Sequence, residues 1–189
     1  MQQKIRELFE DSIIAKQQTL EGNIEKIPVA VSVIVSALRE QRKILFFGNG
    51  GSAADSQHIA AEFIGRFQKE RRSLAAIALT TDSSIITALG NDYGFDIIFS
   101  RQIEGLGREG DVAFGISTSG NSKNIIEGIK KAKSVGLKTM AMTGGSGGLL
   151  LPLADICLNV PSRVTARIQE CHLCMAHIIC DLVESILFP

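Results

Sequence analysis

A histidine and a glutamate four residues apart are the pair in this sequence best placed for chemistry. His58 and Glu62 fall in SAADSQHIAAEFIGRF, which has the pattern of a helix, and Asp55 shares their face. Side chains at i and i+4 point into one small volume, and this spacing suits two metal ligands or a base with its orienting partner. A solvent-facing polar stripe has the same spacing, so both interpretations stand at this point.

The last helix, predicted at about 163–187, carries a second set of such groups. Gln169 and His177 are eight residues apart, which is about 80° around a helix and about 12 Å along it. They can share a ligand that lies between them, or each can serve a different copy of the site in an oligomer. As an alternative, His177 is one member of an exposed stripe, because three acidic residues align with it: Glu170, Asp181 and Glu184.

Three turns rich in glycine and hydroxyl groups point to an anion. They are Gly48–Ser52 (GNGGS), Ser117–Ser122 (STSGNS) and Thr143–Gly148 (TGGSGG), and each directly follows a predicted strand. Glycine lets the backbone approach a ligand closely, and a following helix offers free N–H groups at its positive end. Ordinary helix capping accounts for one serine at such a place but not for a cluster. We therefore predict that the turn 117–122 holds a phosphate.

The first turn also satisfies the dinucleotide pattern G-x-G-x-x-G/A after a strand. That pattern requires an acidic residue about 20 residues on, at the end of the second strand. The second predicted strand instead ends near Asp82, well beyond that distance, and Glu70 lies before it in a charged segment. The sequence therefore favours a smaller phosphate ligand.

The elements that must position these residues alternate between strands and helices. The chain opens with two helices over residues 1–42, with Pro28 where the second could start, and near-continuous apolar runs then predict five strands at 43–47, 74–79, 112–116, 138–142 and 156–160. Helical patterns fall at about 52–66, 83–89, 95–106, 122–135 and 147–153, before the last helix. This alternation predicts an α/β three-layer sandwich with a five-stranded parallel sheet, whose ligands bind outside the carboxyl ends of the strands.

Length and charge narrow the class of protein. The chain has 189 residues, enough for the single domain 1–189 that we expect, and 20 basic residues balance 20 acidic ones. With zero net charge, the chain lacks the excess of basic residues that attracts nucleic acid or an anionic membrane surface. The densest basic cluster, Lys69, Arg71 and Arg72, is expected to be a solvated loop. Cys171 and Cys174 form a C-x-x-C without a second pair, so we interpret the thiols as reduced core residues of a cytoplasmic protein.

Taken in order, these motifs resemble the sedoheptulose 7-phosphate isomerases, or phosphoheptose isomerases, of the sugar-isomerase (SIS) fold. The resemblance covers nearly the whole chain, including the N-terminal helices. The residues that carry it are Gly48–Ser52, His58 with Glu62, Asn91 with Asp92, Ser117–Ser122, Arg167-Ile168-Gln169-Glu170 and His177.

The resemblance implies a set of site residues and an assembly. The expected substrate contacts are Asn49, Gly50, Gly51, Ser52, Glu62, Asn91, Asp92, Ser117, Thr118, Ser119, Ser122 and Gln169. The expected ligands of one zinc ion per subunit are His58, Glu62, Gln169 and His177. The family resemblance further implies a homotetramer with active sites at subunit interfaces, in which residues 1–42 make oligomer contacts.

The implied reaction converts D-sedoheptulose 7-phosphate into D-glycero-D-manno-heptose 7-phosphate through an enediol, the first step of nucleotide-activated heptose biosynthesis. Glu62 is the expected base and His177 the expected acid. Two alternatives remain at this point: a non-catalytic SIS adaptor that binds the replication initiator protein, and a sugar-phosphate sensor. The adaptor lacks the carboxylate and the late histidine at the positions of Glu62 and His177, which favours the enzyme.

Overall fold

The computed structural model describes Met1–Pro189 and contains the predicted parallel sheet. Its strands are β1 (Ile44–Gly48), β2 (Ala76–Ala78), β3 (Val112–Ser117), β4 (Lys138–Gly144) and β5 (Ile156–Val160). All four strand pairings are parallel, in the order β2-β1-β3-β4-β5. The prediction of a five-stranded α/β sandwich is confirmed.

Helices cover both faces of this sheet. They are α1 (Gln2–Asn23), α2 (Lys26–Arg39), α3 (Gly51–Ile64), α4 (Ser83–Asp92), α5 (Ile98–Leu106), α6 (Lys123–Ser134), α7 (Leu150–Leu153) and α8 (Thr165–Leu187), with a 3₁₀ turn at Phe95–Ile97. The two N-terminal helices precede β1 as predicted, and α2 begins two residues before Pro28. No helix combines the length and apolar character that a membrane span requires.

The core is divided by the sheet into two apolar clusters. Along β1, Ile44 and Phe46 face a cluster that includes residues of α2, α3 and α8, whereas Leu45 and Phe47 face one built largely from α5 and α6. Every residue of β1 is buried. Successive side chains of a strand point to opposite faces, so a strand covered on both sides must be apolar throughout. This is why the strands are continuous apolar runs in the sequence.

Helix α1 stands apart because it buries little of itself. Only Ala15, Thr19 and Asn23 of its 22 residues are buried. Several large apolar side chains on it are about half exposed or more, namely Ile5, Leu8, Phe9, Ile13, Ile14 and Leu20. The N-terminal helix therefore presents an apolar surface to its surroundings.

The expectations for the cysteines and for the basic loop have different outcomes. All four cysteines are free thiols. Cys157, Cys171 and Cys180 are buried, as expected of core residues, whereas Cys174 is only half-buried. The prediction of a solvated basic loop is wrong for Arg71, whose side chain is only 2% exposed and contacts Glu184 at 2.7 Å. The cause is a carboxylate 113 residues further along the chain, which no local pattern signals.

Candidate active site

The first and second of the three predicted turns lie at the point where the strand order reverses. From β1 the chain crosses to β2 on one side, whereas β3, the next strand after β2, lies on the other side of β1. In open parallel sheets, ligands bind in the crevice at this point, outside the carboxyl ends of the strands. The turns Gly48–Ser52 and Ser117–Ser122 follow β1 and β3, so the fold places both beside this crevice.

The glycine turn after β1 leads straight into α3. Gly50 has a φ of +55°, a conformation that other residues rarely adopt. A Cβ on Gly48 would come within 2.7 Å of backbone atoms of Ser52, so the turn closes only with glycine there. Ser52 is itself buried. The exposed part of the turn is thus Gly50 and Gly51, at the positive end of a 14-residue helix.

The serine loop after β3 is not an ordinary helix cap. Ser122 occupies the N-cap position of α6, yet its side chain makes no capping hydrogen bond. Its hydroxyl lies 2.9 Å from the Ser117 hydroxyl, which is also 3.5 Å from the Ser119 hydroxyl. Three hydroxyl groups therefore gather at the start of a helix, as a phosphate cradle requires. Thr118, between them, is half-buried.

The chain at the third glycine-rich turn, Thr143–Gly148, and just after it packs against the serine loop Ser117–Ser122. The Leu150 N–H donates to the Gly120 carbonyl at 3.1 Å, and the Leu149 N–H donates to Asn121 Oδ1 at 3.0 Å. A polar groove of about 340 Å³ lies between the two turns. Its lining includes Thr118, Ser119, Ser146, Ser162, Arg163 and Thr165. The segment after β4, through Leu149 and Leu150, therefore holds the serine loop at Gly120 and Asn121.

A pair of asparagines joins the first turn to the helix that follows the serine loop. The amide of Asn49 donates to Asn124 Oδ1 and that of Asn124 donates to Asn49 Oδ1, each at 2.8 Å. Asn124 is 3% exposed. Sequence reasoning missed Asn124; the available signal was an amide on the buried face of α6. Because its side chain is paired in this way, Asn49 holds the turn in place.

Asn91 and Asp92 lie apart from these loops. They occupy the exposed C-terminal end of α4, and the Asn91 amide donates to Asp92 Oδ1 at 2.8 Å. Neither forms a hydrogen bond to Asn49 or to the serine loop. Their role as substrate contacts remains a prediction from the resemblance.

The most reactive cluster lies between α3 and α8. His58 Nε2 is 3.0 Å from Glu62 Oε1 and 3.2 Å from His177 Nε2. One potential ligand atom from each of the three residues lies within 4.8 Å of the others. His177 is therefore not simply part of an exposed stripe, and Glu184, which was aligned with it in that alternative, is 1% exposed.

The donor atoms fit a tetrahedral metal centre. Ligand bonds of 2.0–2.1 Å at tetrahedral angles place neighbouring donors about 3.3 Å apart. The two separations from His58 Nε2, at 3.0 and 3.2 Å, are close to this value. Two imidazoles and a carboxylate are also the donor types that zinc takes. The donor types and these two separations therefore fit such an ion, and the third separation, from Glu62 to His177, is at most 4.8 Å.

Gln169 lies along the same contact between α3 and α8, nearer their N-terminal ends. Its amide fills the space beside Gly51, where a Cβ would collide with Nε2. Gly51 faces Gln169 and His58 faces His177, so the two helices run in the same direction. This register places Gln169 and His177 along one line of contact with α3 within a single chain. Gln169 donates no hydrogen bond to His58, Glu62 or His177.

Asp55, which shares the face of His58 and Glu62, is not part of the cluster. Its Oδ2 atom is buried without a hydrogen-bond partner. Burial raises the pKa of Asp55, and the nearby His58 offsets this only in part. Helical spacing placed Asp55 on the face of His58, but its carboxylate is not among the three groups whose ligand atoms lie within 4.8 Å of one another.

Comparison with known proteins gives a consistent result. The family model described as SIS domain matches residues 8–144. A phosphoheptose isomerase of Aquifex aeolicus is 54% identical over 185 residues, which cover 98% of this chain and 97% of that protein. The solved phosphoheptose isomerase GmhA from Neisseria gonorrhoeae is similar with a TM-score of 0.93 at 47% identity, covering 97% of this chain and 98% of that one. A phosphoheptose isomerase structure from Francisella tularensis has the same TM-score at 42% identity, covering 97% of each chain.

Proposed function

The chain belongs to the phosphoheptose isomerases of the SIS-domain family, and on this premise we propose that it converts D-sedoheptulose 7-phosphate into D-glycero-D-manno-heptose 7-phosphate. The observation that carries the proposal is the convergence of His58, Glu62 and His177 within 4.8 Å. A protein that only binds a sugar phosphate or a partner protein has no chemical need for a carboxylate and a second imidazole placed against His58.

The reaction moves protons between two carbons and two oxygens. Glu62 takes a proton from C1 of the ketose while His177 gives one to the C2 carbonyl oxygen, which yields an enediol. The enediol then loses its O1 proton and accepts a proton at C2, which leaves the aldehyde at C1. A positioned acid or base of this kind contributes about 10²–10⁴-fold in rate.

The phosphate is assigned to the serine loop. The hydroxyls of Ser117, Ser119 and Ser122 gather at the N-terminus of α6, and Gly50 and Gly51 lie on the turn after the neighbouring strand. The other substrate contacts inferred from the resemblance, including Thr118, Asn91 and Asp92, belong to the same proposal.

We further propose one zinc ion per subunit, held by His58, Glu62 and His177 with Gln169 as the fourth donor. When bound there, zinc would supply a Lewis acid for the oxygens of the substrate. A glutamate that ligates a metal is a poorer base, so the two roles assigned to Glu62 compete. Metal analysis of protein purified without chelator, followed by assay before and after chelation, separates them. Full activity without zinc would remove the metal from the proposal.

The assembly is proposed to be a homotetramer with active sites at subunit interfaces, in the cytoplasm. The exposed apolar surface of α1 supports association, since contiguous surfaces of this kind mark interaction sites. Phe9, at 69% exposure, is a suitable probe. We expect Phe9→Glu to lower the mass measured by light scattering. A monomeric wild-type protein would contradict the assembly.

The decisive experiment is the isomerase assay with a matched pair of variants. Glu62→Gln is expected to lower kcat by about 10²-fold or more while much of the substrate binding remains. Glu70→Gln removes the same charge from a 91% exposed side chain and should leave kcat unchanged. A Glu62→Gln variant with near wild-type kcat would show that the base is wrongly assigned. Binding of the ketose without turnover by the wild type would favour the sensor.

A further inference from the structure

A buried carboxylate on α8 gathers four hydrogen-bond donors from the segment that follows α3. Both Glu184 and its partner Arg71 have side chains that are 2% exposed. The donors to Glu184 are the N–H groups of Phe67 (3.0 Å), Gln68 (2.8 Å) and Lys69 (2.6 Å) and Nε of Arg71 (2.7 Å). Burial alone would raise the pKa of Glu184, but these donors outweigh it and lower the pKa to about 2. The carboxylate is therefore charged and fully bonded.

The other end of the Arg71 guanidinium closes the C-terminus of α3. Nη2 donates to the Glu62 carbonyl at 2.8 Å, and Nη1 donates to the Phe63 carbonyl at 3.0 Å. The last carbonyls of a helix lack intrahelical partners, and arginine is well suited to them. A single planar side chain thus binds the end of α3 and a carboxylate of α8 together.

Arg71 and Glu184 are each linked to a residue of the cluster formed by His58, Glu62 and His177. Arg71 binds the backbone of Glu62 directly. Glu184 follows His177 by seven residues, two turns along the same face of α8. Phe67, whose N–H donates to Glu184, has its ring centroid 5.5 Å from that of His177.

We propose that Arg71 and Glu184 are positioning residues that fix α3 against α8 and so hold His177 of α8 at metal-binding distance from His58 and Glu62 of α3. The inference rests on the zinc site proposed above. The fork of an arginine keeps two partners in a fixed relation, which a lysine cannot do. Partners outside the ligand shell that orient metal ligands typically change affinity by 10–100-fold.

A contribution to stability alone is the competing explanation, and Asp111 provides the matched control. Its side chain is also 2% exposed and pairs with Lys43 at 2.5 Å. It accepts hydrogen bonds from the N–H groups of Lys43 and Arg108 and makes none to α3 or α8. Asp111→Asn therefore neutralises an equally buried carboxylate in a charge pair away from the cluster.

The test measures metal binding by the full-length protein. Zinc dissociation constants of wild type, Arg71→Lys, Glu184→Gln and Asp111→Asn are obtained by competition with a chromophoric chelator, and the unfolding midpoint of each is recorded. The absorption spectrum of bound Co²⁺ reports the geometry of the site. We expect Arg71→Lys and Glu184→Gln to raise the dissociation constant about tenfold or more and to alter the Co²⁺ spectrum. Asp111→Asn should lose stability with its zinc affinity within about twofold of wild type.

Each result decides between these explanations. Wild-type affinity and spectrum in Arg71→Lys, which keeps the charge and is the milder change, would overturn the positioning role. An equal loss of affinity in Asp111→Asn would assign the effect to stability and also overturn it. If wild-type protein binds no zinc, the proposed metal site fails first, and the isomerase assay remains the separate test of the reaction.

Discussion

Replacing Asn124 with alanine should weaken substrate binding more than catalysis. The change removes both amide hydrogen bonds to Asn49, each 2.8 Å long, and with them the link between the first turn and α6. A buried hydrogen bond contributes about 0.5–1.5 kcal/mol net, so the pair is worth about 1–3 kcal/mol. Asn49 is only half-buried and water can reach its amide, so we expect the lower half of that range.

The expected kinetic result follows from the same energy. In the variant, the turn Gly48–Ser52 must be ordered when the substrate phosphate binds. This costs about 1–2 kcal/mol of binding free energy, so we expect KM to rise about 5–30-fold and kcat to stay within about twofold of wild type. Steady-state kinetics with sedoheptulose 7-phosphate and urea unfolding measure the two effects. A cycle with Asn49→Ala and the double variant isolates the pair, and we expect coupling of about 1 kcal/mol or more. Additive effects, or a KM within twofold of wild type, would refute the role of Asn124.

Three further changes test other parts of the site. Ser119→Ala and Ser122→Ala should each raise KM with little change in kcat, and a loss confined to kcat would contradict the phosphate cradle. Gly51→Ala should maintain or raise the unfolding midpoint, since alanine suits a helix better than glycine, while its Cβ displaces Gln169 and lowers activity at least about fivefold; full activity would remove Gln169 from the site. Burial lowers the pKa of His172 to about 4, outweighing its bond to a backbone carbonyl. Between pH 6.5 and 4 the unfolded chain therefore binds the extra proton, and stability falls as the pH falls. His172→Gln should flatten this slope, and an unchanged slope in urea titrations would contradict the assignment.

The sequence by itself determined the elements and the local chemistry on them. Strands covered on both faces must be apolar throughout, so β1 and β3 were recognisable as uninterrupted runs. The turns after them were recognisable because glycine and serine act through their own backbone and hydroxyl groups. His58 and Glu62 were paired correctly because four residues in a helix fix their relative direction.

Only the tertiary structure decided which faces meet. His177 lies 119 residues from His58, and helical spacing allowed it to be either a ligand or part of a solvated stripe. The packing of α3 against α8 places His177 beside His58 and so excludes a purely solvated stripe. The same packing buried Arg71, expected in solvent, against Glu184, and the order of the strands brought Asn49 beside Asn124. Periodicity gives a side chain its angle around its own helix, but its partner depends on how two distant elements bury their apolar faces together.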